Sequence, residues 1–310
     1  VNGMISATGS ISNQPGHFLV DVTAVNDAPV VTPTISAASY TELGTGVVIN
    51  SGLTVTDVDN TNLVSATASI GSGFTSGDML NFTNANGITG SYNSSTGVLM
   101  LTGSATVAQY QTALGSVTYS STSHNPTVSS ATRTILWQVD DGASTNNASN
   151  LGSNTINITA VNDPAVFGGV STASLTETNE FQTATGTLTI TDVDSPATFS
   201  AQTATVGSGG YGKFDLTSAR AWTYTMNAAQ LQFVDGQTYT DSFTAAAADG
   251  TTQVVTVTIS GTNDAAVIAG VSTASLTESD AAQSANGTLT ATDVDGTANL
   301  FTARTDVAGT

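Results

Sequence analysis

Residues 169–177, Gly-Val-Ser-Thr-Ala-Ser-Leu-Thr-Glu, recur unchanged as residues 270–278, and Gly186–Asp194 recur as Gly287–Asp295 with Ala291 in place of Ile190. A shift of 101 residues that preserves the text this closely marks a duplicated domain. A shorter signature sets the frame of the whole chain. Asn-Asp stands at Asn26-Asp27, Asn162-Asp163 and Asn263-Asp264, 136 and 101 residues apart, each pair closing an alternating run of strand type. About 100 residues is the size of one β-sandwich.

The pairs therefore read as joints. They divide the chain into the last strands of one domain (1–27), two whole domains (28–163 and 164–264) and the first part of another (265–310). Both ends look cut, as expected of a segment from a longer tandem array.

Strand chemistry dominates between the joints. Thr, Ser, Gly, Asn and Val are abundant, and β-branched residues alternating with small polar ones fit a pleated, half-buried strand better than an amphipathic helix. Val20, Val22 and Ala24 share one face at period two, as do Ile156, Ile158 and Ala160, and Val255, Val257 and Ile259. These are equivalent last strands.

In 164–264 the pattern predicts strands near 173–176, 186–191, 199–206, 213–216, 221–226, 240–247 and 253–260, with a short helix at 227–232 capped by Asn227. Seven strands in such a length predict an immunoglobulin-like sandwich. In 28–163, Val107–Leu114 is the counterpart of the helix. Asn86-Gly87 and Thr96-Gly97 close hairpins, and Ile135, Trp137 and Val139 form a core face. The fold class is all-β, in tandem sandwich domains joined end to end.

Charge narrows the function. Only Arg133, Lys213, Arg220 and Arg304 are basic against 23 Asp and Glu, a net charge of −19. Binding nucleic-acid phosphate or anionic lipid needs clustered Lys and Arg, so neither is an expected partner, and the sign points to cations. Cysteine is absent, which removes disulfides and thiolate metal sites. No run is long and apolar enough to insert directly in a bilayer, and the N-terminus lacks the pattern of a signal peptide, so an export signal is expected outside this segment.

The carboxylates recur in fixed order. A Glu lies 15 residues beyond the joint Asn at Glu177 and Glu278, and 16 beyond at Glu42; Asp-Val-Asp begins 15 residues after each Glu, at Asp57, Asp192 and Asp293. An Asp-Gly turn follows the penultimate strand, at Asp140-Asp141-Gly142 and Asp249-Gly250. If the first strand runs away from the incoming joint, its Glu approaches the outgoing one, while Asp-Val-Asp and the Asp-Gly turn return to the incoming joint.

The central joint is thus expected to gather Glu42, Asn162, Asp163, Asp192, Asp194 and Asp249. The same order assigns Asn26, Asp27, Asp57, Asp59 and Asp140 to the first joint, and Glu177, Asn263, Asp264, Asp293 and Asp295 to the third. Oxygen-only donors without His or Cys fit a hard cation with an irregular shell, Ca²⁺ rather than Zn²⁺ or Mg²⁺. Taken singly, each motif is also a former of Asx turns. Three motifs in fixed order favour calcium. They are not EF-hands, because the twelfth positions of the loops are Ala68, Thr203 and Arg304.

The Asn-Asp joint, the early Glu and Asp-Val-Asp resemble cadherin-like repeats. Gly212-Lys-Phe-Asp-Leu, Ala221-Trp-Thr-Tyr, Gly236-Gln-Thr-Tyr-Thr-Asp-Ser-Phe and Asp249-Gly250 are similar to the VCBS repeat of large bacterial surface adhesins of RTX type. The resemblance implies a secreted, extracellular stalk at a bacterial cell surface, serving adhesion or biofilm formation, with the calcium ligands named above. Ala160 and Pro164 stand where animal cadherin linkers carry further oxygen ligands, which implies one ion per joint rather than three.

Catalysis is not expected. His17 and His124 lie in different domains without a nucleophile motif, and Gly207–Gly212 reads as a tight turn rather than a phosphate loop, since no helix follows. Two other readings concern partners: host or matrix glycans or proteins, held at the hairpins of 84–97 or by other regions, and neighbouring repeats or copies of the chain assembling into a filament or layer.

Overall fold

In a computed structural model, residues 7–10, 19–296, 299–305 and 307 are described; His17 lies outside them. Tertiary contacts divide the chain into two units, Val1–Val161 and Asn162–Thr310.

The first unit contains β1 Ala7–Ser10, β2 Leu19–Val22, β3 Val30–Thr32, β4 Ala38–Thr41, β5 Val47–Val48, β6 Thr54–Thr56, β7 Asn62–Ser72, β8 Asp78–Asn81, β9 Thr89–Asn93, β10 Val98–Thr106, α1 Val107–Gly115, β11 Thr118–Ser121, β12 Thr132–Asp140 and β13 Gly152–Thr159. One sheet runs β4-β13-β12-β7-β10-β9 and faces a second, β5-β11-β8; β3 pairs with β6 and β1 with β2. Alternation along β12 buries Ile135, Trp137 and Val139 against Tyr40, Leu63, Leu101 and Tyr119. Thr106 caps α1 in a capping box with Gln109, and Tyr110, Ala113 and Leu114 face the core. Asn86 and Gly87 both take positive φ, 54° and 77°, the geometry that a two-residue hairpin turn requires.

The second unit contains β14 Val166–Gly169, β15 Thr172–Thr176, β16 Thr183–Thr191, β17 Gln202–Val206, β18 Gly212–Leu216, β19 Ala221–Met226, β20 Thr238–Ala246, β21 Thr252–Ser260, β22 Val267–Gly270 and β23 Leu289–Thr292. Sheets β14-β16-β19-β18-β17 and β15-β21-β20 enclose Leu188, Phe214, Trp222, Tyr224, Phe243, Val255, Val257 and Ile259. These are tandem sandwiches, and no helix among the described residues is long and apolar enough to cross a membrane.

The expected helix at 227–232 does not form. Asn227 spends its side chain on the Gly210 carbonyl rather than on a helix cap, and Gln230 takes φ 58°, outside the right-handed helical region.

Two registers carry the motifs to the joints. β4 runs parallel to β13 with Thr41 opposite Thr159, so Glu42 emerges where the last strand ends. β15 runs parallel to β21 with Thr176 opposite Ser260, and Glu177 emerges likewise. The antiparallel pairs β3–β6, β14–β16 and β22–β23 set Val30 opposite Thr56, Val166 opposite Thr191 and Val267 opposite Thr292. Asp-Val-Asp follows each of these directly and so returns to the incoming joint.

Each sandwich also holds one buried carboxylate away from the joints. Asp78 meets the Arg133 guanidinium at 2.6 Å and accepts the Tyr119 hydroxyl at 2.6 Å. Burial, with the Asp78 hydrogen bond next, pushes the Tyr119 phenol well above its ordinary value. Asp241 instead accepts the Gly209, Tyr211 and Gly212 N–H groups at 2.7, 3.1 and 2.9 Å and the Tyr224 hydroxyl at 3.1 Å. The glycine loop therefore wraps an internal carboxylate, and a side chain at Gly207 would collide with it.

Asp241→Ala strands three N–H groups, that of Gly212 buried and those of Gly209 and Tyr211 partly so, together with the buried Tyr224 hydroxyl, and is expected to cost roughly 3 kcal/mol or more. Denaturant unfolding of a Trp137→Phe chain, followed at Trp222, checks this, with a loss below about 1 kcal/mol contradicting it. In a Trp222→Phe chain the Trp137 transition should not move.

Candidate metal centres at the joints

At the first joint the Asp27 N–H donates to Asp59 Oδ2 at 3.1 Å, and Asp57 Oδ1 accepts the N–H groups of Asp59 and Asn60 at 3.2 and 3.0 Å. The Asx turn is therefore real, but it uses one oxygen of Asp57 and leaves Oδ2 buried without a partner. Asn26 Nδ2 lies 2.9 Å from Asp141 Oδ2, 3.2 Å from the Asp27 and Thr145 carbonyls and 3.1 Å from the Asn146 carbonyl. One amide nitrogen has two hydrogens, so four oxygens around it form a cage of acceptors.

Asp141, not Asp140, is brought to this joint. Asp140 closes its own turn, accepting Gly142 N–H at 2.7 Å and Asn147 Nδ2 at 2.6 Å. The Asp-Gly spacing carried the signal: Asp249 directly precedes Gly250, as Asp141 precedes Gly142. Asn60 also joins the cluster, its amide reaching Asn26 Oδ1 at 2.7 Å and Asp141 Oδ2 at 3.0 Å. Burial pulls the Asp141 carboxyl upward, but hydrogen bonds from Ala143, Asn26 and Asn60 outweigh it and hold the group below the usual range.

The second Asn-Asp pair is anchored in the same way on the sandwich that follows it. Asp163 N–H donates to Asp194 Oδ2 at 3.2 Å, and Asp192 Oδ1 accepts from Asp194 and Ser195 at 3.1 and 2.7 Å. Asp249 Oδ2 accepts Ala165 N–H at 3.0 Å and the Asn162 amide at 3.5 Å. Hydrogen bonds from the Thr251 side chain and backbone, ahead of those from Ala165 and Asn162, lower the Asp249 carboxyl to about 2. Asp192 Oδ2 and Asp194 Oδ1 are buried and unpaired. Glu42 belongs to the first unit, where Oε2 accepts Val161 N–H at 2.8 Å and Oε1 is buried and unpaired.

The third joint is complete within the second unit. Glu177 is 2% exposed; its Oε2 accepts Thr262 N–H at 3.2 Å, and Oε1 is unpaired. Asp264 N–H donates to both Asp295 oxygens at 3.3 Å, and Asp293 Oδ1 accepts Gly296 N–H at 2.8 Å. Asn263 Nδ2 donates to the Asp264 carbonyl at 2.8 Å, and Asp264 Oδ2 is unpaired. Burial, and then the charges of Asp264 and Asp295, raise the Glu177 carboxyl above its ordinary value. Asp295 is raised as well, by burial and its hydrogen bond with Asp293.

Glu42 Oε1, Asp57 Oδ2, Glu177 Oε1, Asp192 Oδ2, Asp194 Oδ1 and Asp264 Oδ2 are all the buried side-chain polar atoms without a hydrogen-bond partner among the described residues. Every one is a carboxylate oxygen of the repeated motifs. With Asn side chains and backbone carbonyls beside them, the donors suit a hard cation of high coordination number. His124 stands exposed in a bend.

No family model matches the chain. Halomucin of Haloquadratum walsbyi is 38% identical over 131 residues, 38% of this chain and 1% of that protein. The chain thus spans a very small part of that relative. Among solved structures, mouse cadherin-23 EC22-24 is similar with TM-score 0.39 and 15% identity over 77% of this chain and 68% of that one. The protocadherin γB4 extracellular domain gives 0.38 and 15%, over 94% and 43%.

A metal-free carboxyl titration by NMR should find Asp249 protonating near pH 2 and Glu177 above the usual glutamate range. The signs differ. Stability contributed by ionised Asp249 is present above its unfolded value of 3.8 and lost as the pH falls through about 2. Ionised Glu177 opposes folding, and that opposition disappears as the pH drops through its raised value.

Proposed function

We propose that this chain is a segment of a non-catalytic extracellular stalk: tandem β-sandwiches of a bacterial adhesin, of VCBS and RTX type, with Ca²⁺ held at the joints, supporting adhesion and biofilm formation. One observation carries the reading: the buried unpaired oxygens all belong to the joint carboxylates. A buried acceptor left without a donor costs about 1–3 kcal/mol, and more when charged. A chain would not repeat that cost at matching positions unless something compensates it, and a cation is the compensating partner an anionic oxygen accepts.

Asn26, Asp27, Asp57, Asp59, Asn60 and Asp141 would hold the ion at the first joint. Asn162, Asp163, Asp192, Asp194 and Asp249 would do so at the second, and Glu177, Asn263, Asp264, Asp293 and Asp295 at the third. Glu42 offers the same unpaired oxygen as Glu177 at the outgoing end of its own sandwich. The ion supplies positive charge where like charges crowd, and it shares coordination among segments that are distant in sequence. A relative of which the chain spans 1% accords with a short piece of a long array.

Glu177→Gln separates this reading from a purely structural carboxylate. The amide keeps an oxygen for Thr262 and removes the buried charge. In chelator near neutral pH the variant should unfold at a higher temperature than the parent, and the further rise that Ca²⁺ gives the parent should shrink. A variant less stable than the parent in chelator, with an undiminished calcium response, contradicts the assignment of Glu177. Asp264→Asn should weaken calcium binding by roughly tenfold or more in calorimetry, while Asp140→Asn leaves it within about twofold.

A further inference from the structure

The first two joints are built on one plan but closed by different chemistry. Their Asp N–H groups are matched, Asp27 to Asp59 at 3.1 Å and Asp163 to Asp194 at 3.2 Å. Around this shared bond the first joint adds a ring of side-chain amides. Asn60 Nδ2 reaches Asn26 Oδ1 at 2.7 Å, Asn26 Nδ2 reaches Asp141 Oδ2 at 2.9 Å, and Asn146 Nδ2 reaches the Asn26 carbonyl at 3.0 Å. Three segments, 26–27, 57–60 and 141–146, are thereby tied to one another directly.

The second joint lacks this ring of amides, although Ala165 N–H, where the first joint has Pro29 and no donor, reaches Asp249 Oδ2 at 3.0 Å. Ser195 stands in place of Asn60 and meets Asn162 Oδ1 at 3.3 Å, and the Asn162 amide is 3.5 Å from Asp249 Oδ2. The loop that supplies Asn146, residues 141–151 between β12 and β13, is replaced by the tight turn 247–251 between β20 and β21. Asn146 itself sits at φ 53°, a left-handed conformation that Asn adopts more readily than most residues and that aims its side chain back to the joint. Two oxygens of the second joint's Asp-Val-Asp are buried and unpaired, against one in the first.

We propose that the first joint is a hydrogen-bonded clamp that keeps Asn26 and Asp27 seated on the following sandwich with or without Ca²⁺, whereas Asn162 and Asp163 depend on the ion. The inference rests on the calcium reading above. An array with both kinds of joint keeps some points fixed and releases others when calcium falls, so its response to the ion is set joint by joint.

Hydrogen exchange of the Asp27 and Asp163 amides, measured on the whole chain by NMR in about 1 mM Ca²⁺ and then in excess chelator, tests this. The expected result is loss of protection at Asp163 by at least about tenfold and at Asp27 by less than about twofold. Asn60→Ser with Asn146→Gly, which imports the second joint's serine and keeps positive φ, should make Asp27 as sensitive as Asp163. The Trp137 unfolding transition verifies that the variant is folded. Equal loss at both amides in the parent overturns the clamp and leaves the calcium reading standing. No loss at either amide overturns both.

Discussion

A carboxylate oxygen buried where no donor of the chain reaches it needs a partner from outside the fold, and that constraint organises the joints. Glu42 and Glu177 are buried almost completely, yet each has one oxygen bonded to a backbone N–H and the other to nothing. Asp78 and Asp241 show that the same chain satisfies buried carboxylates when they serve the fold. One has Arg133 and Tyr119; the other has a glycine-loop nest and Tyr224. The contrast lies within single sandwiches, so it does not arise from the fold type or from the overall acidity of the chain.

Backbone register delivers these groups. Parallel pairing of the first long strand with the last is what puts an early Glu at the outgoing end, since an antiparallel partner would return it to the start. The short antiparallel pair beside it turns the chain back and releases Asp-Val-Asp at the incoming end. The Asx turn made by the first Asp fixes the second, which then receives the joint's own N–H. Sheet topology thus gathers at each joint oxygen donors from segments distant in sequence, where a binding loop would take them from one segment.

Much of this was legible in the sequence because it rests on spacing. The 101-residue repeat, the strand alternation around Trp137 and the order Glu, Asp-Val-Asp, Asp-Gly all follow from periodicity and direction. What escaped depended on partners. Asp140 and Asp141 are adjacent, and only the turn decides which one Asn26 meets. Asn227 could cap a helix, but the Gly210 carbonyl claims its side chain.

Cations that complete the joint carboxylates would be visible directly in anomalous diffraction from crystals of the chain grown in Ca²⁺. A peak is expected at the third joint within about 2.3–2.6 Å of Glu177 Oε1 and Asp264 Oδ2, with a matching peak beside Asp192 and Asp194. Those oxygens found hydrogen-bonded to water, with no anomalous peak near them, would contradict calcium binding there.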